Sequence, residues 1–321
     1  MIDLTKARRL PEWRAFRKAI ESTVLDILGY LPKERLDPQV KVVDELQFPG
    51  YVRKRINYFV SEWDRIAAWL FVPEGKDEQP AILCCHEAVP QGKDETAGLE
   101  GDPMLALALH YAESGYVTLA PDCVTAGDRV PHGLEAYDTS FVYKDYPRMS
   151  AMGKMLSDHR YAIDVLSELK CVDNSRIGAI GHGLGGHNAL FLEAFDERVQ
   201  AGVVSCGFTR FTDDSDPERW ARESGFVYLP RLREAIRQRK FPFEWEHLLT
   251  LAAPSPTLVI TALNDACFPN TESCEKAVTL ARNVYDLLGA PDALNIIAHN
   301  DGHRMVPETL QAADDWFERW L

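Results

Sequence analysis

The rhythm of hydrophobic and polar positions changes along this chain. Residues 52–60 (VRKRINYFV) and 65–73 (RIAAWLFVP) alternate apolar with polar side chains, which predicts an antiparallel strand pair with one solvated face. Beyond residue 80 the apolar residues gather into short unbroken runs at 81–86, 117–122, 176–180, 201–207, 257–262 and 294–299. Such runs suit strands covered on both faces. Helical periodicity separates most of them, at about 103–115, 151–170, 186–196, 273–289 and 307–320. The pattern predicts a three-layer α/β domain with a mostly parallel sheet and the antiparallel pair at its N-terminal side.

Two segments break the alternation. Residues 1–45 are expected to form a helical extension ahead of a domain spanning 46–321, with the apolar face of 20–28 ending at Gly29. Residues 208–250 lie between two strands and are too long for a simple connection, so a helical cap beside the functional site is expected there, with an irregular surface excursion as the alternative. The basic run Arg231–Lys240, interrupted by Leu232 and Ile236, reads as the solvated face of an amphipathic helix.

The densest chemical signal is Gly181-His182-Gly183-Leu184-Gly185-Gly186. It has the glycine frame of a nucleophile elbow, G-x-S-x-G, between a predicted strand (176–180) and a predicted helix (from 187), which is the context that motif requires. Glycine stands at position 183, where the nucleophile belongs. An acid and a base should follow in that chain order, each just past a strand. Asp265, after 257–262, and His303, after 294–299, satisfy this, and their gap of 38 residues accommodates one helix and one strand. Asp265 would fix the imidazole's tautomer and stabilise its charged form. Taken singly, Asp265 reads equally as a helix-capping residue and His303 as a surface histidine. The oxyanion hole needs two backbone N–H groups. One is expected from Leu184 and the other from Glu87 or Ala88, in the polar loop after 81–86. His86 and Glu87 have no companions at ligand spacing, so neither a metal nor any other cofactor is expected.

CHEAVPQGKDETAGLEGDP, YVTLAPD, RIGAIGHGLGGHNALFLEAFDERVQAGVVSCGFTRF and NDGHRMVPETLQAADDWFERWL resemble the dienelactone hydrolase/acetyl xylan esterase-like branch of the α/β-hydrolase superfamily, over roughly residues 45–321. The resemblance implies the α/β-hydrolase fold and carboxylic-ester hydrolysis of a small-molecule ester, with Asp265 and His303 in the triad and Gly183 in the nucleophile's place. Three readings of that glycine stay open. The chain is an esterase whose serine was removed, perforce inert or ligand-trapping. Or it is a natural enzyme whose His303–Asp265 pair acts without a covalent step, by water-mediated hydrolysis, elimination or cyclisation. Or it is a non-catalytic binding homologue. Cys123, Ser205 and Cys206 can be named as surrogate nucleophiles, but each reads more simply as a packed small residue. Trp220, Phe226 and Tyr228 in the expected cap suit an aromatic or a carbohydrate ester equally.

Composition narrows the partners. The 321 residues carry 35 basic and 49 acidic side chains, net −14, which disfavours nucleic acid and anionic membranes. No apolar stretch nears the ~20 residues a bilayer span needs. The first sixteen residues interrupt their apolar positions with charges, unlike a secretory signal. Seven cysteines without C-x-x-C spacing are expected to be reduced thiols, and the expected location is cytoplasmic. The apolar N-terminal helices suggest packing on another subunit in a homo-oligomer.

Overall fold

Among the residues described, the alternating stretches and the apolar runs join one nine-stranded sheet. The computed structural model describes residues 1–32, 35–75, 78–268 and 271–321. In chain order the elements are α1 (Leu10–Leu28), β1 (Lys41–Phe48), β2 (Tyr51–Phe59), β3 (Arg65–Pro73), β4 (Gln79–Cys85), α2 (Lys93–Thr96), α3 (Leu107–Glu113), β5 (Val117–Pro121), α4 (Ser140–Asp145), α5 (Ala151–Glu168), β6 (Val172–His182), α6 (Leu184–Phe195), β7 (Val199–Ser205), α7 (Arg233–Gln238), α8 (Trp245–Ala252), β8 (Thr257–Ala262), α9 (Thr271–Leu287), β9 (Leu294–His299) and α10 (Pro307–Trp320).

The strand order is β1-β2-β3-β5-β4-β6-β7-β8-β9. The first three strands form an antiparallel meander, β3 pairs antiparallel with β5, and every pairing from β5 to β9 is parallel. Side chains alternate across the sheet even inside the unbroken apolar runs, because the strand period is two. Ala81, Leu83 and Cys85 of β4 join the core beneath α1, α5, α6, α8 and α9, whereas Ile82 and Cys84 join a second core beneath α3 and α10. This is the three-layer arrangement of an α/β-hydrolase.

The N-terminal segment departs from the expected helix through residue 45. Helix α1 stops at Leu28, before Gly29 at φ 92°, and β1 already begins at Lys41. Strand β1 is a solvated edge with an irregularity between Val42 and Asp44, so no buried face imposes an alternating pattern. Trp13, Ile20, Val24 and Leu28 are buried within the chain, where α1 meets α5 and α8.

Residues 208–250 place short helical turns at 217–220 and 230–232, then α7, between irregular stretches; α8 packs on α6 and α9 as part of the helical layer. Leu232 and Ile236 of the basic run are buried and its charged residues face outward. A second excursion, 122–150, was not foreseen. It leaves β5, carries α4 and leans on the cap, where Thr139 Oγ1 and the Tyr143 hydroxyl donate to the carbonyls of Gly225 (2.8 Å) and Val227 (2.7 Å). All seven cysteines are free thiols.

Candidate active site

The crossing of β6 into α6 sets the floor of the site. A Cβ on Gly181 would fall 2.2 Å from the carbonyl carbon of Gly185, and one on Gly185 would fall 2.1 Å from the Cys85 carbonyl oxygen, so strand and helix meet this closely only through glycine. At the apex Gly183 adopts φ 51°, ψ −114°, the strained backbone of an elbow. Its N–H donates to the Ser205 carbonyl (2.8 Å), and the helix starts at once with Leu184.

Asp265 lies in the turn after β8, its Oδ1 accepting the N–H groups of Cys267 (2.7 Å) and Phe268 (2.8 Å). Its Oδ2 meets His303 Nδ1 at 2.9 Å. His303 follows β9 and Gly302, and its Nε2 looks toward the elbow. The Asp265–His303 pair therefore converges on Gly183, as a base and its orienting acid must.

The space above Gly183 is occupied by the Glu87 carboxylate. A Cβ on Gly183 would lie 1.5 Å from Glu87 Oε2, inside any permissible contact. That oxygen sits 3.4 Å from His303 Nε2 and has no hydrogen-bond donor of its own. The other carboxylate oxygen, Oε1, accepts the N–H groups of Ala88 (2.5 Å) and Leu184 (3.4 Å). The two N–H groups expected to form the oxyanion hole thus converge, and what they hold is a side chain of the protein itself. From the sequence Glu87 is expected here only for its backbone N–H; in the structure the two N–H groups belong to Ala88 and Leu184, and Glu87 brings its carboxylate. The signal was present: a glutamate one step past β4's histidine, together with a missing side chain at 183.

The loop bearing Glu87 is anchored by Cys123 and by Tyr137. The N–H of Cys123 donates to His86 Nε2 (2.9 Å), which leaves Nδ1–H to donate to the Glu87 carbonyl (2.6 Å). His86 is thereby occupied by backbone on both ring nitrogens and is free for no ligand. The Tyr137 hydroxyl, from the second excursion, lies 3.1 and 2.8 Å from the carbonyls of Glu87 and Val89.

Charge follows from this geometry. Burial disfavours a charged His303, but the pull of Asp265, Cys267 and Glu87 outweighs it and pushes its pKa up to about 12. Burial likewise works against an ionised Glu87, yet His303, His182 and the Ala88 N–H hold its carboxyl below the ordinary value. Asp265 is lowered too, with burial overcome by His303 and the two turn N–H groups. The resting site is an imidazolium between two carboxylates. Beneath it, His182 stacks against His303 with centroids 4.6 Å apart and stays neutral, burial lowering its pKa to about 4.

Two donor sets, His182–Cys206–His303 and Asp265–Cys267–His303, each come within 4.8 Å. Both share His303, whose Nδ1 already meets Asp265 Oδ2 at 2.9 Å. The named surrogates are no better placed: Cys123 and Cys206 are buried thiols whose pKa burial drives upward, and the Ser205 hydroxyl is engaged with His182 Nδ1 at 2.9 Å.

Above the site opens a cavity of about 430 Å³, lined among others by Trp220, Phe226, Tyr228, Phe268, Arg219 and Arg222. A pocket of this size, mostly apolar with four aromatic side chains and a few polar groups, suits one small organic molecule.

Residues 66–287, more than half of the chain, match the dienelactone hydrolase family. The chain belongs to that family. Over 263 residues it is 26% identical to YtaP of Bacillus subtilis strain 168, a hydrolase by its name, covering 78% of this chain and 82% of that protein. In fold it is similar to a glucuronoyl esterase from Solibacter usitatus (TM-score 0.75, 16% identity, 97% of this chain and 93% of that one). It is also similar to an acetyl xylan esterase from Paenibacillus sp. R4 (TM-score 0.63, 20% identity, 98% and 96%). At such identities the solved structures establish the fold. By lineage the chain is an ester-acting α/β-hydrolase of the dienelactone hydrolase family. No helix among the described residues is long and apolar enough to cross a membrane.

Proposed function

We propose that this dienelactone hydrolase family member hydrolyses small carboxylic esters without a serine acyl-enzyme, with His303 and Asp265 handling the protons above Gly183. The observation that carries the reading is the convergence of the Asp265–His303 pair, at 2.9 Å, on an elbow whose pocket opens to a mostly apolar cavity of about 430 Å³. Against a bare serine deletion stands the fit between Gly183 and Glu87. The volume vacated at 183 is filled by a carboxylate that pairs with His303, and that carboxylate could not sit there beside any other residue. Against a purely binding homologue stands the intact proton-transfer pair, which ligand recognition alone does not require.

The test is direct. The purified chain is expected to hydrolyse benzyl or methyl esters of short acids, followed by acid release. His303→Ala should lower kcat/KM by about 10²–10⁴, the usual worth of a positioned acid–base group. Absence of any His303-dependent ester hydrolysis across such a panel would discard the reading.

A further inference from the structure

The geometry points to Glu87 as the covalent catalyst of this site, its Oε2 attacking a saturated carbon that bears a leaving group. This deepens the ester-hydrolase reading and rests on it: the bond broken in the ester is the one between oxygen and the alkyl carbon.

The argument starts from where the two carboxylate oxygens lie. An acyl-transfer nucleophile must leave the oxyanion hole empty, because the substrate's carbonyl oxygen becomes negative there. Here the hole already holds Glu87 Oε1, on the N–H groups of Ala88 and Leu184. Attack by Glu87 on an acyl carbon would therefore leave the new oxyanion without donors. Attack on a saturated carbon makes no such demand, since charge then develops on the leaving group. Oε2 is placed for that attack: it is buried directly over Gly183, next to the cavity that Glu87 lines, and its nearest charged neighbour is His303 Nε2 at 3.4 Å. Glu95 and Glu193 also leave a buried carboxylate oxygen without a partner, but that of Glu87 stands beside His303 and above the elbow. Glycine at 183 supplies the room, for any Cβ would overlap Oε2.

The steps balance. In the first, Glu87 Oε2 forms a bond to the alkyl carbon, the bond from that carbon to the leaving oxygen breaks, and the oxygen keeps the electron pair and takes the Nε2 proton of His303. The protein now carries an alkyl ester on Glu87, and His303 is neutral. In the second, a water gives its proton to His303 and attacks Glu87 Cδ. The resulting oxyanion is Oε1, already seated on the two N–H groups. Collapse releases the alcohol, which takes a proton from His303, and the Glu87 carboxyl returns its own proton to His303. The net reaction is hydrolysis, and the alcohol leaves with an oxygen that belonged to Glu87. The substrates share one feature, a leaving oxygen on a saturated carbon, as in an alkyl ester or an epoxide.

A single turnover of benzyl acetate in ¹⁸O-water, with enzyme in excess, reads this out. Unlabelled acetate and a Glu87 peptide heavier by one ¹⁸O are expected. Phenyl acetate, whose alcohol side offers no saturated carbon, should be turned over at least about 100-fold more slowly. Glu87→Gln should cut benzyl acetate turnover by on the order of 10³-fold or more, as loss of a nucleophile does. If ¹⁸O appears in the acetate and not in Glu87, this inference is overturned while the ester-hydrolase reading survives. If no ester is turned over, an aryl glycidyl ether tests the carboxylate directly. An adduct mapped by peptide mass spectrometry to Glu87 and lost in Glu87→Gln supports the inference; no adduct, or one on Cys267 alone, refutes it.

Discussion

Two groups of buried charges lie near the carboxyl ends of the central strands, and they are finished in opposite ways. In the first, Arg129 bridges Asp158 (2.7 Å) and Asp64 (3.1 Å), Lys154 joins both carboxylates, and the Tyr146 hydroxyl donates to Asp64 at 2.6 Å. Next to it, Lys93 holds Asp122 and Asp128, each at 2.9 Å. These acids have partners for both oxygens, save where solvent reaches them, and they tie the 122–150 excursion to the sheet. In the second group, His303 sits between Asp265 and Glu87, and one buried Glu87 oxygen has only His303 Nε2 near it, at 3.4 Å. The lesson is that saturation marks structure and incompleteness marks a site. Burying charge is costly; among the described residues the carboxylates of Glu87, Glu95 and Glu193 each leave one buried oxygen without a partner, and of these it is Glu87 that stands between His303 and the elbow.

That contrast can be broken most forcefully on the structural side. Arg129→Ala strands two buried carboxylates and should cost about 3–5 kcal/mol in urea unfolding, the typical effect of removing one partner of a buried pair. Glu87→Gln, by contrast, should change stability far less while removing turnover. A cost for Glu87→Gln as large as that for Arg129→Ala would erase the distinction between the two clusters.

A smaller effect is expected at the elbow. Gly183→Ala combines a positive φ that alanine tolerates poorly, about 1–3 kcal/mol, with eviction of Glu87. Placing it in a Glu87→Gly background should recover the part due to the clash and leave only the backbone strain. Thermal unfolding of the four proteins in that cycle measures the coupling, and strict additivity would show that the carboxylate does not occupy the space above Gly183.

The mildest test uses pH. His303 has a folded pKa raised far above the ordinary histidine value of 6.5, so its contribution to stability is whole below about 6.5 and is lost as pH climbs toward about 12. Glu87 and Asp265, both lowered, contribute above the ordinary carboxylate range and lose that contribution as acid protonates them. The stability gap between the wild-type chain and His303→Gln should therefore narrow steadily from pH 6 to pH 10. The pH–rate profile should show no rise near 6.5, where a neutral imidazole acting on a serine would produce one. A clear inflexion there would mean that Glu87 does not hold His303 in its charged form.

Much of this was legible in the residues. The unbroken runs at 81–86, 117–122 and 257–262 became parallel strands, because a strand covered on both faces has to be apolar throughout; 294–299 also became a parallel strand, though as a half-solvated edge. The glycines at 181 and 185 marked the tight crossing of β6 and α6, and chain order alone singled out Asp265 and His303. Strand β1 was hidden, since a solvated edge imposes no apolar alternation. The 122–150 excursion was hidden too, its role resting on Tyr137, Thr139 and Tyr143 reaching partners some 50 to 90 positions away.

What the sequence by itself determined was the scaffold and the empty place within it, since both are written in local pattern: period, glycine spacing and the order of acid and base. The tertiary structure decided what fills that place. Which oxygen lies above Gly183, which N–H groups hold its twin, and whether His303 carries a proton all depend on distances between β4, β6, β8 and β9. Packing sets those distances; no stretch of sequence encodes them.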